Sequence, residues 1–117
     1  MSKIKITIIG AGFVGMSLAT LLSKTHNVQI LDIDDEKVIK INEKESPIND
    51  QEFVDTFKKK NLNLSASIQP KEALINSNFI FIATPTNFNE SSNLFDTTSV
   101  ESAIEASLKW ADPESLI

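Results

Sequence analysis

A chain of 117 residues, 41% hydrophobic and 23% charged, matches one domain with a core of its own and disfavours two. Its net charge of −5 disfavours nucleic acid as a partner, and the absence of cysteine excludes disulfides, thiolate metal sites and a thiol nucleophile within these residues. The apolar runs fall well short of the roughly 20 residues of a membrane span and the opening MSKIKITIIG is not a signal peptide, so the expectation is a cytoplasmic protein without a membrane segment.

Ile4, Ile6 and Ile8 alternate with Lys5 and Thr7 and predict a strand that ends at Gly10. Phe13, Val14, Leu18, Leu21 and Leu22 recur at helical spacing directly after it. Val28 to Ile33 reads as a second strand, and Val38, Ile39 and Ile41 mark the next helix. Phe53, Val54 and Phe57 predict a short amphipathic helix after the turn SPIND, closed by Lys58, Lys59 and Lys60, whose charges suit the negative end of a helix dipole. Leu62, Leu64, Ala66 and Ile68 alternate as a third strand, and Pro70 opens a short helical turn. Phe79 to Ala83 reads as a fourth strand buried on both faces, like the central strand of a parallel sheet. TPTNFNESSNLFD is a polar loop. Thr98 and Glu101 form a capping box for a last helix, and the chain after Pro113 enters a fifth strand. This alternation predicts an α/β fold with a doubly wound, mainly parallel sheet flanked by helices. Residues 1–117 are expected to form one domain cut within or just after its fifth strand, as in a piece of a longer protein.

Gly10, Gly12 and Gly15 are the only glycines in the chain, and all fall in GAGFVG. The pattern G-x-G-x-x-G is weak alone, but here it lies between a predicted strand and a predicted helix. Asp32 closes the next strand 22 positions after Gly10, near the spacing of about 20 expected for a dinucleotide site. Gly10 would allow the tight turn, Gly12 would let a diphosphate touch the main chain, and Gly15 would let helix and strand pack closely. The unpaired N–H groups of the first helical turn attract an anion without any lysine. Asp32 would accept hydrogen bonds from the adenosine ribose, whereas a 2′-phosphate would meet Asp32, Asp34 and Asp35. Like charges about 4 Å apart repel by about 4 kcal/mol at an effective dielectric of 20, so NAD is expected over NADP. Asp34 and Asp35 read more simply as helix caps, and Lys37 is either a surface residue or one that leans back over the ribose. Thr84, Pro85, Thr86 and Asn87 leave the sheet on the same edge as the glycine turn, where hydroxyl and amide groups can bond a ribose or nicotinamide. The same four are also good turn residues.

KITIIGAGFVG, LDIDDEKV, SPI and above all FIATPTNFN with FDTTSVE resemble the amino-terminal domain of the UDP-glucose/GDP-mannose dehydrogenase family, nearest its UDP-glucose branch. The likeness runs the length of the chain and implies a Rossmann-type cofactor domain. It implies NAD contacts from Val14, Asp32, Lys37 and Thr86, with Phe13 and Pro85 beside them in the same two motifs. It also implies oxidation of UDP-glucose to UDP-glucuronate with two NAD, through a cysteine adduct. No cysteine is present. The catalytic residues and the UDP-binding domain are therefore expected beyond Ile117, in a protein that assembles as a homodimer, with this piece inactive alone. Two other readings share the glycine turn: a nucleotide-sensing module without catalysis, and another NAD-dependent dehydrogenase of the GDP-mannose, 3-hydroxyacyl or 6-phosphogluconate type. The sensor has no need of ATPTNF after the fourth strand. No metal ligand set is expected, and SPI has no role assigned from sequence.

Overall fold

The computed structural model describes residues 4–59, 62–84, 88–89, 94–95 and 98–117. β1 (Lys5–Ile9), β2 (Asn27–Leu31), β3 (Leu64–Ser67) and β4 (Phe79–Ile82) form one parallel sheet in the order β3-β2-β1-β4. Each parallel step needs a crossover, and helices supply them: α1 (Phe13–Leu22) between β1 and β2, α2 (Asp35–Asn42) and α3 (Gln51–Lys59) between β2 and β3, and α4 (Pro70–Leu74) between β3 and β4. α5 (Thr98–Trp110) follows β4 and packs against α4.

The period-two alternation of strands divides the core. Ile6, Ile8, Val28 and Ile30 pack with Met16, Ala19 and Ile41 on one face, while Ile9, Leu31 and Ile80 pack with Leu74 and Ala103 on the other. Because helices cover both faces, Thr7 is fully buried despite its place in a polar alternation. Its hydroxyl donates to the Ala73 carbonyl at 2.7 Å and also pairs with Ser77 Oγ at 2.7 Å.

Of the residues that mark α1 in the sequence, Leu18 and Leu22 are partly buried against the core and none is fully buried. Gly15, Met16 and Ala19 face the sheet, whereas Phe13, Val14 and Leu21 are exposed; the start of the helix lies so close to the glycine turn that position 15 admits no side chain, while Met16 fills the core beside it. β4 also departs from expectation. It is not a strand buried on both faces: it stands at the side of the sheet, and Phe81 is 40% exposed. Phe81 pairs with Ile8 on the face where α1 packs chiefly over β1 and β2. The expected fifth strand is present as one parallel bridge, Phe79 to Leu116, in which the Ile80 N–H donates to the Leu116 carbonyl at 2.7 Å. Within the segment read as loop, β5 (Phe88–Asn89) and β6 (Leu94–Phe95) form a two-residue antiparallel ladder that pairs backbone groups regardless of polar composition. α5 already includes Thr98, so its cap position falls on residue 97, outside the described residues.

SPIND is a self-bonded turn. Ser46 Oγ donates to the Ile48 carbonyl at 2.8 Å, the Asp50 carboxylate accepts the Glu52 N–H at 3.0 Å, and Ile48 packs against the core. It therefore sets the entry of α3.

Candidate functional site

β1, β2 and β4 end on the same edge of the sheet, at Gly10, Asp32 and Ala83, and a cleft of about 880 Å³ opens there. The three glycines do different work at its floor. Gly10 has φ 117°, and a Cβ on it would stand 2.5 Å from the Ala83 carbonyl oxygen. A Cβ on Gly15 would overlap the Gly10 carbonyl oxygen, so this glycine lets α1 start against the turn. Gly12 has nothing within 4 Å of where its Cβ would be, and it lines the cleft. Two of the glycines thus serve the protein's own packing, while the third leaves open space beside bare backbone.

Gly12 is also the N-cap of α1, with no capping side chain and no acidic residue in the first turn. The first internal bond of this helix runs from the Met16 N–H to the Gly12 carbonyl at 2.9 Å. The N–H groups of Phe13, Val14 and Gly15 precede it, at the positive end of the helix dipole. Phe13 and Val14 are 62% and 70% exposed and line the cleft.

Asp32 is tied to this turn. Its Oδ2 accepts the Ala11 N–H at 2.7 Å and its Oδ1 accepts the Asp34 N–H at 2.8 Å. A carboxylate has about four acceptor positions, so each oxygen keeps one for a hydroxyl in the cleft. Asp34 caps α2, accepting from the Glu36 and Lys37 N–H groups at 3.1 and 3.5 Å. Lys37, in the first turn of α2, is half-buried and is the one cation among the described residues that line the cleft.

Thr84 reaches the opposite wall, and its Oγ1 is buried with no partner among the described residues. Pro85, Thr86 and Asn87 lie outside the described residues. The sequence reading missed two walls: Ile33, Ile68 and Pro70 on the β2 and β3 side, and Ser102, Ala103 and Ala106 of α5 on the other. Ile33 is 99% exposed two positions past the end of β2, where the sequence pattern runs the strand on through it and gives no sign of that exposure. The small side chains of α5 carry no comparable signal. Among the described residues, no group of three His, Cys, Asp or Glu side chains converges to hold a metal ion.

Open space at Gly12, unpaired helical N–H groups, free lone pairs on Asp32 and an unsatisfied Thr84 hydroxyl together fit an extended ligand with hydroxyls and a diphosphate. A family model described as the UDP-glucose/GDP-mannose dehydrogenase family, NAD binding domain, matches residues 4–117. The chain belongs to this family. Its cofactor is NAD.

Within the family, the chain is 41% identical over 113 residues to a UDP-glucose 6-dehydrogenase of Streptococcus pneumoniae, a match covering 97% of this chain and 29% of that protein. It is 42% identical over 104 residues to a UDP-glucose 6-dehydrogenase of Campylobacter jejuni, covering 86% of this chain and 26% of that one. The chain thus spans under a third of the length of these curated relatives. A solved ternary complex of GDP-mannose dehydrogenase from Pseudomonas aeruginosa superposes with a TM-score of 0.78 at 27% identity, over 87% of this chain and 24% of that one. A UDP-D-ManNAc dehydrogenase from Pyrococcus horikoshii gives 0.84 at 22% identity, over 97% of this chain and 27% of that one, which shows the shared fold.

Proposed function

We propose that this chain is the cofactor-binding domain of a nucleotide-sugar dehydrogenase that oxidises UDP-glucose to UDP-glucuronate, with the remaining catalytic parts outside these 117 residues. The observation that carries the reading is the open backbone at Gly12, set between the tethered Asp32 and the unsatisfied Thr84 hydroxyl. NAD supplies the electron acceptor for the alcohol oxidation. The chain's own residues bind and orient it. The N–H groups opening α1 receive the diphosphate, Asp32 accepts from the adenosine ribose and repels a 2′-phosphate, Val14 and Lys37 flank the same ligand, and the segment Thr84, Pro85 and Thr86 holds the far ribose. Phe13 lies against the ligand beside Val14.

UDP-glucose is favoured over GDP-mannose because the relatives at 41% and 42% identity carry the former name, while the GDP-mannose enzyme is 27% identical. With no cysteine in the chain, the thiol of the family's covalent step belongs to the rest of the enzyme. A cytoplasmic homodimer completes this reading. Among the described residues no helix is long and apolar enough to cross a membrane.

The test pairs two assays. Calorimetric titration of this chain should show NAD binding at least tenfold tighter than NADP. The protein that carries this domain should then form NADH with UDP-glucose and not with GDP-mannose or a 3-hydroxyacyl substrate. Binding without any turnover would favour the sensor reading, and a chain blind to NAD would overturn the assignment of the cleft.

A further inference from the structure

Beside the main cleft lies a smaller groove of about 160 Å³ between α1 and α3, and Phe13 lines both. Its exposed ring meets the buried Phe53 ring edge to face, with centroids 5.4 Å apart and planes at 87°. An exposed phenylalanine at the first turn of a helix has several rotamers open to it, and an aromatic neighbour at this angle selects one. Phe53 is 8% exposed and packed in the core, so the selecting ring is itself immobile. The Ser17 hydroxyl donates to the Phe13 carbonyl at 2.8 Å and holds the backbone beneath the ring.

Resting on the cleft being the NAD site, we propose that Phe53 is a positioning residue for the dinucleotide, acting through Phe13. Among the described residues no side chain of α3 lines the main cleft, yet Phe53 fixes a ring that forms part of the cleft wall. Asp32, bonded to Ala11, anchors the adenosine end. Phe13 stands two residues further on, past the open Gly12, and so flanks the diphosphate and what lies beyond it. Holding the ring in place before the ligand arrives removes an ordering cost from binding.

The experiment compares NAD with AMP, which carries the adenosine end and one phosphate, by titration of the whole chain. Aromatic pairs of this kind are worth up to about a factor of ten in an equilibrium constant. Phe53→Leu should weaken NAD about threefold to tenfold and AMP less than twofold. Phe53→Tyr, which keeps the ring, should restore NAD binding. In a Phe13→Leu background, Phe53→Leu should cause no further loss. Phe13→Leu alters only an exposed side chain, so it should reproduce the NAD-selective loss even where Phe53→Leu reduces folding. Equal losses for NAD and AMP, an unchanged NAD affinity, or a full additional loss in the double variant would each overturn the proposal. Failure of the unaltered chain to bind NAD would instead overturn the functional reading on which it rests.

Discussion

The three glycines separate structure from binding, and substitution should expose the difference. A side chain at Gly15 meets the Gly10 carbonyl, a backbone group that cannot rotate away, so Gly15→Ala should destabilise the fold by about 3 kcal/mol, read as a fall in thermal midpoint. Gly12 faces empty space. Gly12→Val should leave the midpoint within a few degrees while lowering NAD affinity more than a hundredfold, because its branched side chain fills the open space proposed for the diphosphate. Asp32 does both jobs. Asp32→Asn puts an amide N–H₂ in place of one of two acceptors that serve the Ala11 and Asp34 N–H groups, so it should cost about 1–2 kcal/mol of stability as well as relaxing the preference for NAD over NADP. Titration of both dinucleotides and a melt of the same sample check the two effects together.

At the scale of elements, the strand-helix rhythm was legible because β1, β2 and β4 carry β-branched or aromatic residues, β3 shows through the alternation of Leu62, Leu64, Ala66 and Ile68, and helical spacing marks the crossovers. What sequence hid were the partners. Thr7 reads as polar and is fully buried, since a doubly covered strand needs its hydroxyl satisfied by Ala73, 66 residues away. The apolar residues that give α1 its helical spacing divide in the fold: Leu18 and Leu22 pack at the margin of the core, Phe13, Val14 and Leu21 face outward, and Gly15, Met16 and Ala19 take the side against the sheet. Asp32 and the glycine turn were legible because a local spacing encodes them, whereas the α5 wall depends on how a distant helix packs.

Asn42 is a similar case. Its amide donates to the Ala66 carbonyl and accepts the Ala66 N–H, both at 2.9 Å, and so completes the outer edge of β3 from α2. Asn42→Leu removes both bonds and bares a strand edge. It should lose about 1–3 kcal/mol and raise the tendency to aggregate, measured by denaturant titration and light scattering. At the amino end of β1, the Lys5 amine donates to the Ile75 carbonyl at 2.7 Å, and burial lowers its pKa despite the opposing charge of Asp112. The unfolded chain therefore binds the proton more tightly than the folded one. Stability should rise with pH through the window between the lowered folded value and the ordinary lysine value, and Lys5→Met should flatten that rise.

For the whole molecule, the cleft is the seam between the two helical layers. Gly12 and Val14 of the α1 layer form one side, and Pro70, Ala103 and Ala106 of the α4 and α5 layer form the other, while each layer packs its own hydrophobic cluster against the sheet. A ligand in the seam touches both layers at once and binds only when both are in place, so its binding energy adds to folding. At a hundred times its dissociation constant, NAD should stabilise the chain by about 2.7 kcal/mol, which for a domain of this size is a rise of roughly 10 °C in the thermal midpoint. The rise should continue with the logarithm of NAD concentration and, on the proposed placement of the adenosine ribose at Asp32, should be much smaller with NADP at the same concentration. Gly12→Val supplies the control within the same fold. Its midpoint should not respond to NAD at all, and a shift equal to that of the unaltered chain would place the ligand somewhere other than this seam.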